Sequence, residues 1–233
     1  MSGHIVAVGG GALPEIGPLL RFILGLTRRE RPRVCFVPTA GGDADAALLR
    51  FYRALAGLDC TASDLTLFDR TVGNLPAFVR EQDVFYVGGG NTANLLAVWR
   101  THGLDELLRD ALAEGAVLSG SSAGMNCWFE ASTTDSFGRS KLAPLYDGLG
   151  FLPGSACPHY DAEEQRRPLY HRLIADGFPA GYAADNQAAI HFMDGGLVEA
   201  VSCSPEARAY RVELRDGTVV EEPLEPTQLG TEV

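Results

Sequence analysis

No apolar run in this chain approaches the ~20 residues that span a bilayer, and no basic segment precedes an apolar stretch at its start. A membrane partner and a signal peptide are therefore not expected, and a cytoplasmic location is. Positive charge is scarce as well. Nineteen Lys and Arg stand against 30 Asp and Glu, a net charge of −11. Nucleic-acid surfaces need clustered cations, so no nucleic-acid partner is expected either. The five cysteines (Cys35, Cys60, Cys127, Cys157, Cys203) are odd in number and form no C-x-x-C pair. They read as reduced thiols, several of them in apolar runs. Neither H-E-x-x-H, G-x-G-x-x-G nor a P-loop lysine pattern occurs, so no metal and no cofactor are expected. Internal repeats and linker-like composition shifts are also missing. One domain over residues 1–233 is the economical reading, with a loose polar tail from about residue 225.

What is present is an ordinary globular composition, 46% apolar and 21% charged. Short apolar runs alternate with helical patterns. His4–Val8, Val34–Val37, Leu65–Phe68, Val84–Val87 and Ala116–Ser119 read as strands. None alternates strictly, which fits strands covered on both faces of a parallel sheet. A helix is expected near Pro14, another from Asp43 or Asp45 to about Ala56, then Ala93–Arg100 capped by Asn91, Leu104–Glu114, and Ala123–Phe129. After about residue 180 the pattern changes. Asp194-Gly195-Gly196 and Arg215-Asp216-Gly217 each sit between two strand-like runs and signal hairpins. The expected fold class is α/β: a mostly parallel sheet flanked by helices, with C-terminal antiparallel hairpins.

Gly120-Ser121-Ser122-Ala123-Gly124 fits G-x-S-x-G, between an apparent buried strand and an apolar helix. Such a turn projects a serine hydroxyl, its glycines admit close packing, and the helix start favours negative charge. The N–H of Ala123 could then receive an oxyanion. The rival reading is a Ser/Gly-rich turn with Ser122 as a helix N-cap.

A serine nucleophile needs a base. His4 opens a strand, His102 stands at a helix stop, His171 falls mid-helix and His191 lies in a hairpin strand. His159 differs: it follows Cys157-Pro158 at the end of an apolar stretch, where active-site loops of parallel folds lie. A satisfied loop histidine is the alternative. Gly88-Gly89-Gly90 ends its own strand and can turn amides inward as a second oxyanion donor.

Val-Gly-Gly-Gly-Asn-Thr at 87–92, Gly-Ser-Ser-Ala-Gly at 120–124 and Pro-His-Tyr at 158–160 occur in this order. Together they resemble the peptidase E family of serine peptidases, which includes cyanophycinase-like enzymes and has a class I glutamine-amidotransferase-like fold. The resemblance runs from Gly9-Gly10-Gly11 to about residue 193. It implies Ser122 as nucleophile, His159 as general base and acid, and oxyanion donors from Gly90 and Ala123. It also implies a carboxylate on a strand after the histidine, and Gly181–Gln187 supplies Asp185 there. The aspartyl dipeptidases of the family carry glutamate at that point, one methylene longer. A second family carboxylate falls at Asp135, which could orient the histidine, hold the turn or read a substrate amine. Asn91, Asp135, Arg166 and Arg167 are the candidate substrate contacts; the two arginines read equally well as a charged helical face. The implied activity is hydrolysis of short peptides through an acyl-enzyme, as an exopeptidase or dipeptidase with some preference for acidic residues. A cyanophycinase-like hydrolase of β-linked Asp-Arg material and a non-catalytic ligand-binding member of the fold are the alternatives. A homodimer is left open.

Overall fold

The computed structural model describes residues 3–13, 15–138 and 141–230. The first half lays down β1 (His4–Val8), α1 (Gly17–Gly25), β2 (Arg33–Val37), α2 (Asp45–Leu55), β3 (Thr61–Asp64), α3 (Leu75–Arg80), β4 (Val84–Val87), α4 (Thr92–His102), α5 (Leu104–Glu114) and β5 (Val117–Ser121). The second half adds α6 (Ala123–Asn126), β6 (Phe129–Thr134), β7 (Ala143–Leu145), β8 (Leu152–Cys157), α7 (Arg166–Ala175), β9 (Gly181–Ala184), β10 (Ala188–Met193), β11 (Gly196–Ser202), β12 (Ala209–Arg215), β13 (Thr218–Leu224) and β14 (Pro226–Gln228).

Two sheets result. The larger has the order β14-β11-β10-β1-β5-β4-β2-β3, and the smaller β13-β12-β9-β8-β6-β7. In the larger sheet β1, β5, β4, β2 and β3 run parallel, and the β10–β11 hairpin joins antiparallel beside β1. The other hairpin, β12–β13, extends the smaller sheet beside β9. The two C-terminal hairpins thus serve different sheets.

Apolar runs explain the central strands. All of Val84–Val87 and Val117–Ser121 is buried, as two-sided coverage demands. One face of the larger sheet packs Phe36, Phe51, Leu19 and Ile23 with α1 and α2. On its other face a single apolar cluster links Ile5, Val87 and Leu118 to Phe129, Leu152 and Ala209 of the smaller sheet. Burial of these side chains is the main force holding the layers together, about 1.5–3 kcal/mol for each large one.

Several sequence expectations shift here. The third strand is the polar Thr61–Asp64, at the sheet edge, instead of Leu65–Phe68. Asp43 caps no helix; its carboxylate accepts the N–H groups of Leu67 and Phe68 at 2.6 and 2.9 Å, holding that segment as a loop. The helix after the serine turn stops at Asn126, and Phe129 begins β6. Pro14 lies outside the described residues, and the helix expected there starts at Gly17, with Pro18 in its first turn. The tail is ordered further than expected: Pro226–Gln228 pairs parallel with β11. No helix among the described residues is long and apolar enough to cross a membrane.

Candidate active site

In the parallel sheet Val8 pairs with Ser121, and Val87 with Gly120, so β1, β4 and β5 end together. The loops that follow them meet at this edge, where ligands bind in open α/β sheets.

Ser122 links β5 to α6 with φ 59° and ψ −109°, a conformation L-residues rarely adopt. Its own N–H donates to the Val8 carbonyl at 3.1 Å, and the Asn126 N–H donates to the Ser122 carbonyl at 3.0 Å. These bonds fasten the turn on both sides. The glycines have a steric cause. A Cβ on Gly120 would lie 2.7 Å from the Gly124 carbonyl oxygen, and one on Gly124 would strike the Val87 carbonyl oxygen. Serine held on such a strained turn is a recurrent signature of a functional position. Ser122 makes no helix-capping hydrogen bond through its side chain, so the N-cap reading of its hydroxyl is not what the structure shows.

His159 also has a positive φ, 53°. Its N–H donates to the Gly9 carbonyl at 3.0 Å. Its Nδ1 lies 2.7 Å from Asn186 Oδ1. An amide oxygen only accepts, so Nδ1 carries a proton, and in the neutral ring Nε2 is the nitrogen with the lone pair. Gly10 underlies this pair: a Cβ there would collide with Asn186 Oδ1 and would lie 2.4 Å from His159 Nδ1. The first glycine run is thus the bed of the histidine. Sequence reading left Gly9–Gly11 without a role and passed over Asn186. The available signal was chemical: an amide oxygen can hold an imidazole N–H as a carboxylate does.

Asp185, the residue expected to orient His159, points elsewhere. Successive residues alternate sides at the end of β9, and the Asp185 carboxylate accepts the Arg208 N–H at 2.8 Å. Burial pushes its pKa up to about 6, against the favourable effect of that hydrogen bond. Asp135 is exposed past the end of β6 and does not line the cleft described below. Asn91 is structural: its Oδ1 caps α4 through the Asn94 N–H, and its Nδ2 donates to the Ser136 carbonyl. Arg166 is buried, paired with Glu163 at 2.8 Å and directed at Thr133. Arg167 pairs with Glu221 and lies over the rings of Tyr160 and Tyr210. Burial favours the neutral form of Glu221, but hydrogen bonds from Arg167, Tyr160 and His171 outweigh it and lower its pKa to about 2. Neither arginine reaches the cleft, because each is spent on holding α7 in place.

Ser122 and His159 line one cleft of about 320 Å³, with Gly88, Gly89 and Pro38 along its rim. Gly90 does not line it, and a Cβ there would strike the Ala40 carbonyl. Among the described residues neither the Gly89 nor the Gly90 N–H donates to a backbone acceptor, whereas Gly88 donates to Val37 and Asn91 to Ala40. Ala123 is the first residue of α6, and its N–H has no intrahelical partner. Cys127 is one turn further on, and burial pushes its thiol pKa well up, so it is a poor nucleophile. Among the described residues no group of three or more His, Cys, Asp or Glu side chains is placed to hold a metal ion.

Comparison with known proteins gives the family and the fold. The sequence model of peptidase family S51 matches residues 5–200. The chain is 48% identical over 231 residues to the uncharacterized peptidase YgaJ of Bacillus subtilis, covering 97% of this chain and 99% of that protein. It is 33% identical over 130 residues to peptidase E of Streptomyces coelicolor, covering 55% and 51%. The crystal structure of a peptidase from an acI-B1 Actinobacterium superposes with a TM-score of 0.73 at 16% identity, covering 98% of this chain and 96% of that one, a likeness of fold. The chain belongs to peptidase family S51 and is a serine-type peptidase.

Proposed function

We propose that the enzyme hydrolyses short peptides through an acyl-enzyme formed on Ser122. His159 Nε2 takes the Ser122 hydroxyl proton as Oγ attacks the scissile carbonyl carbon. The Ala123 amide and the free Gly89 amide, beside the Ser122 side chain, receive the oxyanion. His159 then gives its proton to the leaving amine, and the C–N bond breaks. Water, deprotonated by His159, releases the acid and restores the serine. Asn186 serves as the orienting third member by fixing the tautomer.

The observation that carries this reading is the 2.7 Å contact between His159 Nδ1 and Asn186 Oδ1, in a cleft shared with a strained serine. It supplies a base with its lone pair free and a hydroxyl raised on a turn. A cleft of about 320 Å³ lies at the small end for ligand sites, which supports dipeptide-sized substrates and an exopeptidase or dipeptidase role. Labelling with a serine-directed phosphonate tests it. The expected result is a single adduct on Ser122, formed about 10²–10⁴-fold more slowly after His159→Gln. An adduct on another serine, or labelling indifferent to His159, would overturn it.

A further inference from the structure

We propose that Tyr160 and Glu221 are positioning residues for the reaction: Glu221, on the C-terminal hairpin, holds the Tyr160 hydroxyl and through it the segment that presents the His159 imidazole to the cleft. This rests on the peptidase reading above and adds two residues to it. β13 opens as Thr-Val-Val-Glu-Glu, and its side chains alternate between faces. Glu222 pairs with Arg215 at the surface. Glu221 lies opposite the buried Val212 and, like Val219, faces the apolar cluster that holds Tyr160, Tyr170 and Ile174. An apolar residue would suit that face, and a carboxylate there costs desolvation unless it is well partnered. Glu221 has three partners. Its Oε2 accepts the Tyr160 hydroxyl at 2.5 Å and Arg167 Nε at 3.0 Å, and lies 2.8 Å from His171 Nε2; its Oε1 accepts from Arg167 Nη2. A mostly buried carboxylate adds little stability over apolar packing even when paired, so what it connects is the informative feature. This one joins the hairpin to α7 and to the residue next to His159.

The backbone of His159 requires such a tie. Its φ of 53° is left-handed, and a non-glycine residue keeps that conformation only where its neighbours impose it. On one side, Cys157 is fixed in β8 by pairing with Ala183. On the other, Tyr160 is buried, with its N–H donating to the Ala184 carbonyl at 3.1 Å and its hydroxyl to Glu221. The Arg167 guanidinium covers the Tyr160 ring at 4.9 Å. Asp161 comes next and accepts the Asn186 N–H at 2.8 Å, so the same segment also ties the residue that faces the imidazole. Backbone bonds hold this segment to the end of β9, and the tyrosine hydroxyl adds the tie to the hairpin. Loosening that tie lets the segment relax from its strained turn and lengthens the contact between His159 Nδ1 and Asn186 Oδ1.

The test measures the rate of phosphonate labelling of Ser122 in the full-length parent and in Tyr160→Phe, Glu221→Leu and Glu221→Gln, each with and without Asn186→Ala. The expected result is that Tyr160→Phe and Glu221→Leu slow labelling about tenfold, with denaturant midpoints showing a folded chain. Glu221→Gln keeps an acceptor for the tyrosine hydroxyl and should recover most of the rate. In Asn186→Ala enzyme the imidazole has already lost its orienting contact, so the same substitutions should slow labelling by less than about twofold further. A merely structural role would multiply the two losses. Multiplied losses, or labelling of Tyr160→Phe at the parent rate, would overturn the positioning role. His159→Gln separates this from the reading beneath it. Labelling of that variant at the parent rate would remove the catalytic assignment and the positioning role with it; slow labelling there, beside parent-rate labelling of Tyr160→Phe, would remove the positioning role alone.

Discussion

At the residue scale the pair Asp185-Asn186 divides its work. Asn186 faces the imidazole, and Asp185 faces the Arg208 amide. Asn186→Ala should lower kcat/KM about 10²-fold, because the imidazole loses its fixed tautomer, whereas Asp185→Asn should leave it within a few-fold. Steady-state kinetics on one dipeptide separates the two, and the reverse order would restore Asp185 as the orienting residue. Stability gives a second reading of Asp185. Its carboxyl pKa is raised from 3.8 to about 6 on folding. Between those values the folded state holds more protons than the unfolded state, so stability falls as pH rises through the window and stays reduced above it. Asp185→Asn removes that loss. The variant should gain about 1–3 kcal/mol over the parent at pH 7.5 and nothing at pH 3.5, measured by denaturant unfolding. The serine and histidine of the site were legible in the sequence, because a nucleophile turn and a loop after a strand have local signatures. Asn186 was not, since which of two neighbouring side chains faces a distant ring depends on how β9 ends.

At the element scale the serine turn depends on how closely β4, β5 and α6 approach. Gly124 stands where any Cβ meets the Val87 carbonyl, a backbone atom that cannot swing aside. Gly124→Ala should therefore cost about 1–3 kcal/mol and lower activity with it, since β4 and α6 must part. Gly17→Ala, where a Cβ meets nothing within 4 Å, is the control and should be near neutral. Equal stability of the two variants, read from denaturant midpoints, would contradict the account of the turn. Elements with apolar periodicity and clear stops were readable: β4, capped α4 and α5 closed by Gly115 all stand where the pattern puts them. The misses share a cause. β3 is the polar edge strand Thr-Ala-Ser-Asp, which carries no apolar signal. Cys127-Trp128-Phe129 is a short apolar run that suits helix or strand, and pairing of Phe129 with Leu152 decides for strand.

At the scale of the whole molecule, the parallel sheet brings three loops distant in sequence to one edge. Gly9–Gly11 after β1, Gly88–Gly90 after β4 and Ser122 after β5 converge there, and His159 arrives from the end of β8 in the smaller sheet. The mostly parallel sheet and the two C-terminal hairpins follow from the βα rhythm and turn signals, though not that the second hairpin joins the smaller sheet. The second sheet does not, because its strands mix small residues with polar ones, as Leu-Pro-Gly-Ser-Ala-Cys and Gly-Tyr-Ala-Ala show. Packing against the apolar cluster shared with the first sheet gives them their place. The imidazole and the serine thus line one cleft only because the two sheets share that core. The most direct measurement is kcat/KM of Ser122→Ala on a dipeptide that the parent enzyme cleaves. The account predicts a fall of at least about 10⁴-fold with folding intact. Turnover within tenfold of the parent would contradict it.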